Sequence, residues 1–257
     1  MTATTALVLA GSRRGPDDPL AVHAGVSHKA MIEVGGEPML ARVVRALAEA
    51  GMTRVVVVIE RPDLVEQLAA EGRFPPGLVV ETLPAAEGPS LSVAQALDRI
   101  GTPLLVTTAD HALLRSEWVR WFAGHVPEGA DVAAALARSD LVMAAAPEAK
   151  RTFLRFSDGA FSGCNLFYFA TPAAHRVVDL WREVETHRKQ PVKLLRRLGV
   201  VMAARYALGA LPLRAALARL SVLADARCAV VEMPFGEAAI DVDKPEDLIL
   251  ARRLAGG

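Results

Sequence analysis

The sequence predicts an α/β fold: an open, mostly parallel sheet wound by helices on both faces. Three observations carry the prediction. In the first half, apolar runs at Thr5 to Ala10, Arg54 to Ile59, Leu78 to Leu83 and Pro103 to Thr107 alternate with helical patterns. Within Arg54 to Ile59, Val55 to Ile59 is continuously aliphatic, as a strand covered on both faces should be. A chain of 257 residues suffices for one large α/β domain with a well-buried core and is too short for two full enzyme domains.

Taken in order, the first run stops at Gly11, and a helical pattern opens at Pro38 through Leu40, Val43, Val44 and Leu47. The intervening loop is too long for a simple connector. It holds Gly11, Gly15, Gly25, Gly35 and Gly36 with the cations Arg13, Arg14 and Lys29, a composition suited to wrapping a polyphosphate. Loops of this length are functional or disordered, and the apolar pair Met31 and Ile32 at its end argues against disorder. Pro62 to Ala70 is the helix that returns the chain, and a further helix runs through Val93, Ala94 and Leu97. The fourth strand ends at Ala109 and Asp110. Ligands of such sheets sit beyond the carboxyl ends of the strands, where Gly11, Ser92 and Asp110 fall.

The second half is less regular. Asp131 to Ala137 reads as a strand, and Thr152 to Phe156 and Asn165 to Phe169 as a pair separated by the turn Ser157-Asp158-Gly159. Ala173 to His187 is a helix. Arg188 to Ala224 is a helical stretch with eight Lys or Arg residues and no Asp or Glu. A strand near Ala229 to Met233 follows, and Ala239-Ile240-Asp241-Val242-Asp243-Lys244-Pro245-Glu246-Asp247-Leu248 starts the last helix. The expected organisation is a single domain over 1–257 with 186–224 as a basic helical insertion or acceptor-side subregion.

Bulk properties exclude several classes. Lys plus Arg and Asp plus Glu both number 29, so no global field draws the chain to nucleic acid. Cys164 and Cys228 follow no metal or disulfide spacing, which fits a reducing compartment. The N-terminus lacks a basic region, and its apolar run is far too short for a signal or a membrane span. A cytoplasmic protein is expected. In the basic stretch, Lys193, Arg197 and Arg205 share a four-residue spacing with Leu195, Leu198 and Met202 opposite. Such a helix either lies on an anionic membrane surface, here the inner face, or packs its apolar side on the sheet and exposes its charges.

The order Leu9-Ala10-Gly11, then Arg14, then Lys29 before an apolar pair, then Gly35-Gly36-Glu37-Pro38-Met39-Leu40, resembles the MobA-like nucleotidyltransferases. These form a branch of the GT-A fold that includes molybdenum-cofactor guanylyltransferases and the cytidylyltransferases of isoprenoid and inositol-lipid synthesis. The closing motif around Asp241 and Asp243 resembles the family's last motif, so the similarity spans nearly the whole chain. Two positions depart from the family pattern: Ser12 stands where a second glycine is usual, and His28 stands where proline usually precedes the lysine. The resemblance implies a three-layer α/β/α GT-A (Rossmann-like) fold with a mostly parallel mixed sheet. It also implies transfer of a nucleoside monophosphate from a nucleoside triphosphate, CTP or GTP, to an anionic, phosphorylated acceptor with release of pyrophosphate.

Candidate residues follow, each with its plainer alternative. Arg14 and Lys29 would face the departing pyrophosphate, where negative charge builds up, or are solvated cations on a loop. Arg13 competes with Arg14 for the family's arginine position. Leu9, Ala10, Gly11 and Ser12 would offer backbone to the nucleotide. Asp110 at a strand end suits Mg2+ or Mn2+, which takes one or two carboxylates plus phosphate oxygens, or it is a helix N-cap. Asp243 or Asp241 would supply the second ligand, while Asp243 with Glu246 also reads as a capping box. Gly88 and Ser92 resemble the family's base-recognition loop, with Ser90 as a simple helix cap instead. Lys150, Arg151, Thr152, Arg155, Gly163 and Asn165 lie in the half where this family binds its acceptor; the alternative is a basic surface strand. Two other activities stay open: a glycosyltransferase of the same fold using a sugar nucleotide, and a catalytically silent nucleotide-binding module.

Overall fold

The computed structural model describes residues 4–12, 14–186 and 199–256. The first strand is β1 (Thr5–Leu9), followed by a one-turn 3-10 helix at Gly15–Asp17, a short helix α1 (Pro19–Ala24) and a second one-turn 3-10 helix at Lys29–Met31. A small antiparallel pair, β2 (Glu33–Val34) and β3 (Glu37–Pro38), turns on Gly35 and Gly36, both at positive φ, and leads into α2 (Met39–Glu49). The long loop between the first strand and helix is therefore, in its described residues, a series of short helices and a strand pair. Asp18 starts α1 by accepting hydrogen bonds from Leu20 N–H at 3.0 Å and Ala21 N–H at 3.2 Å.

The remaining described elements are β4 (Arg54–Val58), α3 (Pro62–Ala70), β5 (Val79–Leu83), α4 (Pro89–Ile100), β6 (Leu104–Thr108), α5 (Ser116–Gly124), β7 (Val132–Arg138), α6 (Ser139–Ala145), β8 (Leu154–Phe156), β9 (Gly159–Phe169), α7 (Ala174–Thr186), α8 (Val200–Ala207), α9 (Leu213–Ala224), β10 (Cys228–Met233) and α10 (Pro245–Ala255). The main sheet runs β10-β7-β9-β6-β1-β4-β5, with β8 paired to β9. All its pairings are parallel except those of β9 with β6, β7 and β8. Both faces are covered by apolar clusters: Ala6, Val8, Val55 and Val57 pack on one side, Leu7, Val56 and Val58 on the other. That two-sided burial explains why the strands read as unbroken aliphatic runs.

The mixed, mostly parallel three-layer sheet is the predicted fold, and two details differ. The glycine-containing approach before Asn165 is part of one long strand, because Phe161, Ser162 and Gly163 pair with β7. The register shifts between Ala134 and Leu136 on the partner strand, opposite Asn165 at φ 48. The start of the last helix also differs. Asp247, not Glu246, accepts from the N–H groups of Asp243 at 3.2 Å and Lys244 at 3.0 Å, so the Asp243 side chain takes no part in capping.

Of the basic stretch, residues 188–198, with Lys193, Arg197, Leu195 and Leu198, lie outside the described residues. In the described part, α8 buries none of its side chains, and Val200 and Val201 are exposed. No described helix is long and apolar enough to cross a membrane.

Candidate functional site

A cleft of about 1270 Å³ opens at the carboxyl ends of β1, β4 and β6, where Leu9, Val58 and Thr108 contribute to its wall. The topology sets this position, since strand ends and the connections after them leave a crevice where helices cross to opposite faces. Gly11, Ser12, Arg14 and Lys29 line it from the loop after β1. Gly88 and Ser92 line it from the start of α4, Asp110 from the end of β6, Asn165 from β9, and Asp241 and Asp243 from the segment before α10. Ala10 is buried beneath, its N–H donating to the Val58 carbonyl at 2.9 Å. Arg13 lies outside the described residues. Lys150, Thr152, Arg155 and Gly163 are not among the cleft's lining residues. Arg155 is exposed on β8, its backbone N–H donating to the Tyr206 hydroxyl at 3.3 Å.

Lys29 lies at the centre. Its Nζ donates to Asp110 Oδ2 at 2.8 Å and to Asp243 Oδ1 at 2.7 Å, joining residues far apart in sequence. Burial works against the lysine charge, but the two carboxylates outweigh it and hold the ammonium above its usual pKa. Asp110 is shifted upward, first because it is buried and further because Asp241 lies near, with Lys29 opposing. Asp110 caps no helix, as α5 starts only at Ser116.

The two closing carboxylates have separate partners. Asp241 accepts from both terminal nitrogens of Arg151 and from Asn165 Nδ2 at 2.8 Å. Burial would raise Asp241, yet Arg151 holds it below the usual carboxylate range. Asp243 carries a largely exposed carboxylate that accepts from Lys29. Behind Asp110, His111 is fully buried and burial depresses it to about 4, so it stays neutral and faces away from solvent.

The donor set suits a hard divalent cation. Asp110 Oδ1 is buried and finds no hydrogen-bond donor at full geometry among the described residues, and Asp243 offers a second, solvent-facing carboxylate. No group of three or more His, Cys, Asp and Glu side chains able to cage a metal occurs among the described residues. Magnesium requires no such cage, because one or two carboxylates with phosphate oxygens and water complete its shell.

Two carboxylates in the site were invisible to sequence reasoning. Glu60, just past β4, accepts from Ser12 N–H at 3.2 and 3.1 Å and contacts His28 Nε2 at 3.0 Å. Glu185 on α7 accepts from the Ser90 hydroxyl at 2.6 Å and from its N–H at 3.3 Å. Ser90 therefore engages a distant helix rather than capping its own, and the Ser92 hydroxyl accepts from Ala86 N–H at 3.0 Å, holding the loop before α4. Arg151, grouped by the sequence with the acceptor-side cations, instead holds Asp241, a partner that nothing local announces.

No curated protein matches the chain. Among solved structures, a hypothetical transferase from Thermus thermophilus is similar over 96% of this chain and 100% of its own, at 32% identity and a TM-score of 0.81. A 4-diphosphocytidyl-2C-methyl-D-erythritol synthase from Anaerococcus prevotii shares the fold at 12% identity, covering 97% of this chain and 94% of its own with a TM-score of 0.60. A nucleotidyl transferase from Methanothermobacter thermautotrophicus does so at 17% identity, 98% and 96% coverage and a TM-score of 0.53. The family model described as the MobA-like NTP transferase domain matches residues 6–222. Together with the cleft at the strand ends, that match over most of its length means the chain belongs to the MobA-like NTP transferase family.

Proposed function

We propose that the protein is a metal-dependent nucleotidyltransferase that moves a nucleoside monophosphate from CTP or GTP onto a phosphorylated small-molecule acceptor, releasing pyrophosphate. The observation that supports this best is the convergence of Lys29, Asp110 and Asp243 on one point of the cleft. Membership in a nucleotidyltransferase family supports the reaction class. Asp110 and Asp243 would hold Mg2+ or Mn2+, which when bound supplies positive charge at the α-phosphate.

The chain's own groups divide the remaining work. Lys29 and Arg14 provide positive charge for the departing pyrophosphate, where negative charge builds up. The acceptor is a phosphomonoester whose second pKa of roughly 6 leaves it largely dianionic at neutral pH, so its oxygen needs no general base. That oxygen attacks the α-phosphorus, and the bond from phosphorus to the bridging oxygen breaks with its electron pair leaving on pyrophosphate.

The test is a screen of the four ribonucleoside triphosphates with Mg2+ against sugar, alcohol and cofactor phosphates, scored by pyrophosphate release. Lys29→Ala and Asp110→Asn should each lower turnover by about 100-fold or more with the fold intact, the usual effect of removing one group that stabilises transition-state charge. Retained turnover in both variants would overturn the assignment.

A further inference from the structure

The two positions at which the loop departs from its family's usual residues, Ser12 and His28, meet at one side chain. Glu60 Oε1 and Oε2 both receive the Ser12 N–H, at 3.2 and 3.1 Å, and Oε1 lies 3.0 Å from His28 Nε2. The other imidazole nitrogen, Nδ1, accepts the Ala30 N–H at 3.1 Å, so Nε2 is the nitrogen that carries the proton and donates to Glu60. His28 is 1% exposed, whereas the Glu60 side chain keeps 32% of its surface open and lines the cleft. The result is a carboxylate pinned from behind by a buried ring and presented at the cleft wall.

An ionised carboxylate is an acceptor only. It satisfies the Ser12 N–H that a phosphate oxygen would otherwise take, and its charge repels phosphate. A group that binds against it must bring neutral donors. The surroundings agree: Leu9, Val58 and Ala85 give the cleft apolar wall, Asp18 adds a second carboxylate that accepts from the Ser12 hydroxyl at 3.3 Å, and the cations lining the cleft are Lys29, Arg14 and Lys244. Gly11 permits the close approach of the two walls there, because a Cβ at this position would stand 2.8 Å from that of Ala85.

We propose that Ser12, His28 and Glu60 form a subsite that selects the nucleoside part of the substrate through its neutral hydrogen-bond donors, base N–H or ribose O–H. The inference rests on the nucleotide-binding reading above and deepens it. Glu60 and His28 are positioning and specificity residues, and neither takes part in phosphoryl chemistry.

The experiment is calorimetric titration of the full chain with Mg2+, using the four ribonucleoside triphosphates, their 2′-deoxy forms and inorganic tripolyphosphate. The unmodified protein should prefer one nucleotide, and Glu60→Gln should cut that preference about tenfold, the scale of one hydrogen bond to a charged group, while tripolyphosphate affinity does not fall. Loss of preference among bases assigns the donor to the base; loss of discrimination against the 2′-deoxy form assigns it to the ribose. His28→Phe, which removes the clamp and keeps the carboxylate, should reproduce the effect and serves if Glu60→Gln does not fold. An unchanged preference in folded variants overturns the proposal, as does a uniform gain that includes tripolyphosphate, which would make Glu60 a competitor for phosphate. Lys29→Ala separates the two readings: if it leaves tripolyphosphate binding intact, the phosphate site is wrong whatever Glu60 does.

Discussion

The backbone N–H of Val242 donates to the carbonyl oxygen of Asp110 at 3.0 Å. The mid-chain and closing carboxylates are thus fixed to each other through main chain, and Val242 itself is fully buried as the anchor. Asp241 and Asp243, two residues apart, both face the cleft as an extended segment requires. They differ in what holds them: Arg151 and Asn165 engage Asp241, leaving Asp243 to Lys29.

Removing one partner of the Arg151 and Asp241 pair leaves a buried charge without compensation. Asp241 is only 8% exposed, so Arg151→Met should destabilise the fold by about 3–5 kcal/mol, read by urea denaturation. The double variant Arg151→Met with Asp241→Leu should recover most of that loss, since apolar replacement of both partners costs little. Losses that simply add would show that the pair is not coupled.

The same pair sets an acid limb in stability. Arg151 holds Asp241 below the usual carboxylate range against the effect of burial, so its contribution is complete above the unfolded value of about 3.9 and disappears as pH falls through the lower folded value. Lys29 acts at the other end, because its raised pKa contributes stability below about 10.4 that is lost only as pH rises further. Circular dichroism from pH 5 to pH 2 should show a steep loss in the unmodified protein and a shallower slope in Asp241→Asn. The slope is the readout, because the variant is less stable throughout.

The strands of the first half and the cleft's main cations and carboxylates were legible because they depend on patterns along the chain. Thr5–Leu9 and Arg54–Val58 are aliphatic runs with both faces buried, and Lys29, Asp110 and Asp243 occupy fixed places in motifs at strand ends. Glu60 and Glu185 were not legible, nor was the pairing of Arg151 with Asp241, as these contacts join residues 48, 95 and 90 positions apart. Nothing local marks such a residue. Glu60 sits beside Arg61 and Asp63, which pair with each other, and reads as one more surface charge. Of the acceptor-side candidates Asn165 alone is among the cleft's lining residues: the bend there turns its side chain to Asp241, while Arg155 emerges on the short edge strand β8.

The last prediction concerns the cost of keeping Asp110 charged. Burial and the neighbouring Asp241 push its pKa up, and Lys29 only partly offsets them. The folded state therefore favours the protonated form more than the unfolded chain does, so stability falls as pH rises above about 3.9 through the shifted range. Asp110→Asn keeps the shape and removes the charge, leaving Lys29 with Asp243. At pH 7 the variant should melt above the unmodified protein, each kcal/mol being about 2–4 °C for a chain near this size, and the gap should close below about pH 4. Saturating nucleotide with Mg2+ should reverse the order, because ligand that binds only the intact site stabilises only that protein. A lower melting temperature for Asp110→Asn at pH 7 would mean that the contact with Lys29 outweighs the cost of burial, and that the site is built for stability rather than for holding charge against a ligand.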